Sequence, residues 1–132
     1  MSDPIVNKPA IIAFDDLPHT AHSHELVGAD IGDVPFSLIL VHSAPGVGPR
    51  VHRHPYPEVF VVEEGEATFV LGDEQVVVRA GHVVVGPSEV PHGFVNSGTG
   101  ELRLLAIHGA SRFSTEWLGE ADLDWASPPR PE

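Results

Sequence analysis

The 132-residue chain is predicted to be an all-β single domain, on three observations. Its apolar residues fall in short runs (FSLILV, EVFVV, ATFVL, QVVV and HVVV), the length of strands rather than of buried helices. Thirteen Gly and thirteen Pro break up the chain, as many turns between short strands require. The segment ATFVLGDEQVVV sets Gly72 and Asp73 between two β-rich runs, where a tight turn needs positive φ.

Taken in order, strand candidates lie at 10–14, 36–43, 50–54, 58–64, 66–71, 75–80, 82–86, 92–96 and 102–108, each bounded by Gly, Pro or Asp. Ser114 to Leu118, extended as far as Asp122, reads as a short C-terminal helical turn with Ser114 as its cap. Residues 1–30 form an N-terminal arm and 109–132 a C-terminal segment around a core at about 36–108. The extremes, 1–9 and SPPRPE at 127–132, have the composition of unfixed termini.

Length and charge narrow the function. A chain of 14.1 kDa suits one core. No apolar run is long enough to span a bilayer, and the amino terminus lacks the pattern of a secretory signal, so a cytoplasmic location is expected. A net charge of −12, from 19 acidic and 7 basic residues, opposes attraction to phosphate backbones; no nucleic acid or membrane partner is expected. With no Cys, disulfides, thiol nucleophiles and thiolate metal sites are excluded, which leaves nine His and the carboxylates to carry any metal.

Four residues form a candidate metal set. His52 and His54 stand at i and i+2, so on a strand they face the same way. After the bend at Pro55, Tyr56 and Pro57, Glu58 opens the next strand on the face that continues through Phe60 and Val62. His92 opens HGFVN, with Pro91 setting its approach. Three imidazoles and one carboxylate suit a divalent transition metal ion: iron, manganese, nickel, zinc, copper or cobalt, rather than calcium or magnesium. For an ion that prefers six ligands, this set leaves two adjacent positions for water, oxygen or a chelating substrate. A carboxylate facing an apolar interior is costly unless a cation compensates it, so Glu58 supports the metal over a plain polar network.

The residues Gly46, His52, His54, Glu58 and Gly65, with intervals of five, one, three and six residues, resemble the first motif of the cupin superfamily at every fixed position. Gly81, Pro87, His92 and Asn96 resemble the second, and Glu89 stands where the family usually has Gly. Gly there would allow positive φ, so Glu89 implies a different or mildly strained turn. Fifteen residues separate the motifs, as in compact single-barrel cupins. The resemblance covers about residues 36–108 and implies a jelly-roll β-barrel, a metal near the middle of one open end and a homodimer. It implies no substrate, because small cupins include dioxygenases, isomerases, decarboxylases and lyases.

The function expected is a metal-dependent oxidoreductase, dioxygenase-like, acting on a small chelating substrate; the alternatives are a non-catalytic ligand-binding or sensing cupin, or a cupin isomerase or lyase. The motifs show no further obvious acid or base, whereas an isomerase calls for a dedicated His and Tyr pair facing the substrate. The remaining histidines receive blander readings. His19, His22 and His24 read as a solvated lead-in rather than a second metal site, and His82 as a solvent-facing turn residue. His42 and His108 share parity with apolar neighbours, and each either faces a cavity or is structural. Tyr56 and the two Trp are candidates for the pocket mouth, while Phe60 and Phe94 read as core.

Overall fold

The computed structural model describes residues 9–118. Ten strands follow in chain order: β1 Ser23–Leu26, β2 Ser37–Ser43, β3 His52–Arg53, β4 Glu58–Glu64, β5 Glu66–Leu71, β6 Glu74–Arg79, β7 His82–Gly86, β8 His92–Asn96, β9 Leu102–His108 and β10 Glu116–Trp117. They form two five-stranded antiparallel sheets in the orders β1-β2-β9-β4-β7 and β10-β3-β8-β5-β6. The architecture is the jelly-roll β-barrel expected from the sequence.

Alternation along the strands decides which side chains fill the interior. On β4, Glu58, Phe60 and Val62 are buried, and on β9, Leu102, Leu104, Ala106 and His108 are. From the other sheet Ala67, Phe69, Phe94 and Val95 complete the core. Phe60, Phe69 and Phe94 meet with centroids 5.1–6.0 Å apart, in the tilted and edge-on arrangements that aromatic quadrupoles favour. This apolar plug closes one end of the barrel.

The turns follow their residues. Gly72, at φ 61, opens the two-residue turn that pairs Leu71 with Glu74, as the hairpin signal predicted. Gly65 joins β4 to β5 at φ 90, and a Cβ there would come within 2.5 Å of the Glu101 carbonyl oxygen. Glu89 adopts φ 66, so the turn before β8 keeps the left-handed conformation and a non-glycine side chain bears the strain. Its N–H donates to the His54 carbonyl at 2.7 Å, which ties this turn to the segment carrying two of the candidate ligands.

Two sequence expectations are corrected at the ends of the fold. Residues 10–13 form no strand, and a 3-10 turn occupies Phe14–Asp16. The arm instead contributes β1, which pairs with β2 across Ser23–Leu26. Ser114–Leu118 forms no helical turn: Glu116 and Trp117 pair with Arg53 and His52, because the edge of β3 offers unpaired backbone groups. The stretch from 119 to Asp122, Trp125 and the termini at 1–8 and 127–132 lie outside the described residues.

Candidate metal centre

Both sheets supply the site. His52 on β3 lies opposite His92 on β8, while Glu58 begins β4 in the facing sheet, opposite His108 on β9. His54 follows β3 directly. His52, His54, Glu58 and His92 are all buried, and one ligand atom from each lies within 4.8 Å of all the others, close enough to hold one metal ion. The structure thus brings together the four side chains that strand parity turns to one side.

Backbone carbonyls orient the imidazoles. Nδ1 of His52 donates to the Arg50 carbonyl at 2.6 Å, Nδ1 of His54 to Ser114 at 2.8 Å and Nδ1 of His92 to Val90 at 3.1 Å. A carbonyl oxygen can only accept, so in each neutral ring the proton sits on Nδ1 and the lone pair on Nε2. Nε2 of His54 and Nε2 of His92 then lie 3.0 and 2.9 Å from Oε1 of Glu58. Lone pairs facing a carboxylate at that distance repel, so the cluster calls either for a second proton on the rings, which Glu58 then accepts, or for a cation among the three, and Nε2 of His54 is buried with no well-aligned hydrogen-bond partner. The donor set thus fits one divalent transition metal ion, a metal whose identity the donors leave open.

Electrostatics follow from burial and this crowding. Burial, with the neighbouring imidazoles, pushes His52 down to about 4, against the hydrogen bond to Arg50. For Glu58, burial acts upward, but contacts from His108, His54 and His92 outweigh it and hold the carboxyl well below the usual carboxylate range. Burial lowers His54, yet Glu58 and the Ser114 carbonyl reverse this and leave it raised.

A second layer, absent from the sequence reading, stands behind Glu58. Nε2 of His108 lies 2.9 Å from Oε2 of Glu58, although Nε2 is not well aligned for a full hydrogen bond. Because a carboxylate only accepts, this nitrogen carries the proton and Nδ1 accepts from the Tyr56 hydroxyl at 2.9 Å. The Ser114 N–H donates in turn to the Tyr56 oxygen at 3.2 Å. Burial raises Tyr56 above the usual phenol range, which keeps it a proton donor. A His and Tyr pair does exist, with His108 supplied from outside the two motifs, but it is turned toward Glu58. Tyr56 is buried against His54, their rings stacked at 4.9 Å, and does not line the mouth. The signal available in sequence was the parity of His108 with Leu102, Leu104 and Ala106.

A cavity of about 580 Å³ opens above these residues, with Ile39, Val41, Phe94, Phe113 and Trp117 on its walls. Phe60 and Phe94 serve as core and as its floor. The other histidines separate by face. His22 reaches the cavity, whereas His24 and His42 pair on the opposite side of the sheet, their Nδ1 and Nε2 atoms 3.2 Å apart. His24 and His22 are half-buried, so the reading of 19–24 as a solvated lead-in holds only for exposed His19. His82 is exposed as expected, with Nδ1 donating to the Arg79 carbonyl.

Comparison with known proteins agrees with this geometry. The Cupin_2 family, described as Cupin domain, matches residues 39–108, more than half of the chain. Among curated proteins none matches significantly. Similar solved structures include an oxalate oxidase at 21% identity and TM-score 0.68, covering 82% of this chain and 63% of that one. Oxalate decarboxylase from Bacillus subtilis, in a study of its Mn(II) centres, gives 20% identity and TM-score 0.69 over 79% of this chain and 30% of its own. Lactobacillus farciminis oxalate decarboxylase gives 21% and 0.69 over 79% and 34%. The chain thus spans less than two thirds of each of these proteins, and at such identities they speak for the fold alone. Fold, motif residues and family match together establish that the chain belongs to the cupin family.

Proposed function

We propose that the chain is a single cupin domain whose His52, His54, Glu58 and His92 bind one divalent transition metal ion, and that it is a metal-dependent oxidoreductase of the dioxygenase kind acting on a small chelating substrate. One observation carries the reading: ligand atoms from three buried imidazoles and one carboxylate converge, and His52, His54 and Glu58 among them line an open, largely apolar cavity. A redox-active ion held there would supply Lewis-acid binding of two substrate oxygens and electron exchange with O₂. The chain's own residues set the conditions. Nδ1 contacts to the backbone hold the imidazoles with Nε2 turned to the cluster, His108 engages the far oxygen of Glu58, and the aromatic walls exclude water from the substrate. The isomerase reading gains nothing from Tyr56, because its hydroxyl is engaged by His108 and Ser114, away from the cavity.

The test is oxygen uptake by anaerobically prepared, iron(II)-loaded protein offered chelating phenols, diketones and thiols. Substrate-dependent uptake is expected. Absence of uptake, together with strong thermal stabilisation by a probe that stays chemically unchanged, favours the sensing module and sinks the oxygenase. We also read the chain as a homodimer, supported by Val83 and Val85, which are 59% and 58% exposed on the edge strand β7. Light scattering that returns a monomer of 14.1 kDa at micromolar concentration removes that reading.

A further inference from the structure

The walls of the cavity say more about the substrate than the ligands do. Among the described residues lining it there is no Lys or Arg, and its carboxylates are Glu58 at the base and Glu25 from β1. Polar groups beyond the ligand cluster are few: His22, Ser23, Ser43, His108 and Thr115. Arg50 stands outside the lining, its guanidinium 5.1 Å from the centre of the Trp117 ring, on which it stacks. The remaining surface is aliphatic and aromatic, in a volume within the roughly 300–1,000 Å³ typical of drug-sized ligands.

Charge counting then selects the ligand. A divalent ion held by neutral imidazoles and one carboxylate leaves one net positive charge at the base of an apolar cavity. A singly ionised chelator brings the site to neutrality. A small dianion leaves a net negative charge in a poorly hydrated space that holds a second carboxylate, Glu25, and no lysine or arginine among the described residues to answer it. A six-atom dicarboxylate also leaves most of the cavity unfilled.

Resting on the metal reading above, we propose that this site takes a singly ionised oxygen chelator with an apolar, ring-sized body, of the enolate or phenolate class, and discriminates against small dicarboxylates such as the oxalate handled by its structural relatives. The chelating oxygens meet the ion beside His52 and His54. The apolar body lies against Phe113, Phe94 and Trp117, with Phe113 packed 4.8 Å from the His108 ring and so held in place.

Calorimetric titration of the manganese-loaded full chain with benzoylacetone, acetylacetone and oxalate tests this, with metal content measured on the same samples. Benzoylacetone should bind at least tenfold more tightly than acetylacetone, because its phenyl ring fills the cavity, and at least tenfold more tightly than oxalate. Phe113→Ala should reduce the advantage of the phenyl ring several-fold at unchanged metal content, and Glu25→Gln should improve oxalate binding relative to wild type. Oxalate binding as tightly as benzoylacetone, or a phenyl ring without effect, overturns the substrate class while leaving the metal reading intact. Protein that takes up no manganese, iron or zinc overturns both.

Discussion

Glu58→Gln separates a metal ligand from a structural polar network. The residue is 3% exposed, and its carboxylate stands 2.9–3.0 Å from nitrogens of His54, His92 and His108. If these contacts exist to hold the barrel together, the isosteric amide leaves buried partners mismatched, and loss of one member of a buried ionic set destabilises by roughly 3–5 kcal/mol. If they exist to hold an ion, the metal-free protein loses little, since the amide also removes the penalty of burying a charge. The loss then appears on adding metal. For wild type at a metal concentration a hundredfold above Kd, binding stabilises by about 2.7 kcal/mol. For a domain between the sizes where 1 kcal/mol moves Tm by roughly 4–8 °C and roughly 2–4 °C, that corresponds to about 10 °C. Thermal melts of metal-free and metal-titrated protein, with metal content by mass spectrometry, read both quantities. The expected result is a metal-free Tm within a few degrees of wild type and a metal shift reduced to a small fraction. An unchanged shift and stoichiometry in the variant, or a metal-free melt that collapses while the shift persists, refutes the assignment.

Tyr56→Phe removes the hydrogen bond that keeps the His108 proton on Nε2; metal affinity should fall severalfold to tenfold, with the manganese EPR spectrum altered as Glu58 changes its binding mode, and an unaltered spectrum rejects the relay. Glu89→Gly relieves a non-glycine residue at φ 66, and chemical denaturation should show a gain of about 0.5–1 kcal/mol, the left-handed penalty less the extra entropy glycine loses on folding; destabilisation argues that the Glu89 contact with Arg53 matters more than the strain. Metal-free protein should grow more stable from pH 4 to 6.5. His52, pushed down to about 4 mainly by burial, stays neutral in the fold while the unfolded imidazole binds a proton. Its contribution is thus lost as pH falls through that window, at up to about 1.4 kcal/mol per pH unit, and Glu58, also held down, adds loss of the same sign below 4.5. Raised His54 acts oppositely, but its contribution is complete below 6.5 and fades only above it. A flat or falling urea midpoint between pH 4.5 and 6.5 contradicts the burial of His52.

Three of the four candidate ligands were legible because their geometry is local: His52 and His54 at i and i+2 in an extended segment, a bend, and Glu58 at the start of the next strand; His92, 34 positions beyond Glu58, was legible only through the second motif. The middle strands were legible for a similar reason, since Val-rich runs between glycines have no other use. What escaped depended on partners far away in sequence. Ser23–Leu26 reads Ser-His-Glu-Leu, with no β-branched residue, and becomes a strand because Leu38–Val41 offers it an edge. Ser114–Trp117 has the composition of a capped helical turn, and pairing with His52 and Arg53 overrides it. Tyr56 and His108 are 52 positions apart and meet only once β4 and β9 lie side by side.

That pairing explains why the site and the fold should respond together. Glu58 and His108 belong to one sheet, His52 and His92 to the other. Gly86, opposite Glu58 on β7, leaves the space the facing imidazole needs, for a Cβ there would come within 3.3 Å of Nδ1 of His92. Beneath the ligands the sheets are joined by the Phe60, Phe69 and Phe94 cluster. Among the described residues no comparable apolar cluster joins them at the open end, and the walls are parted by the cavity. An ion bound by residues of both sheets would close that end as the phenylalanines close the other. Its binding energy would then hold the barrel shut, and the ligand set should be detectable in the cooperative unfolding of the whole domain rather than as a local effect.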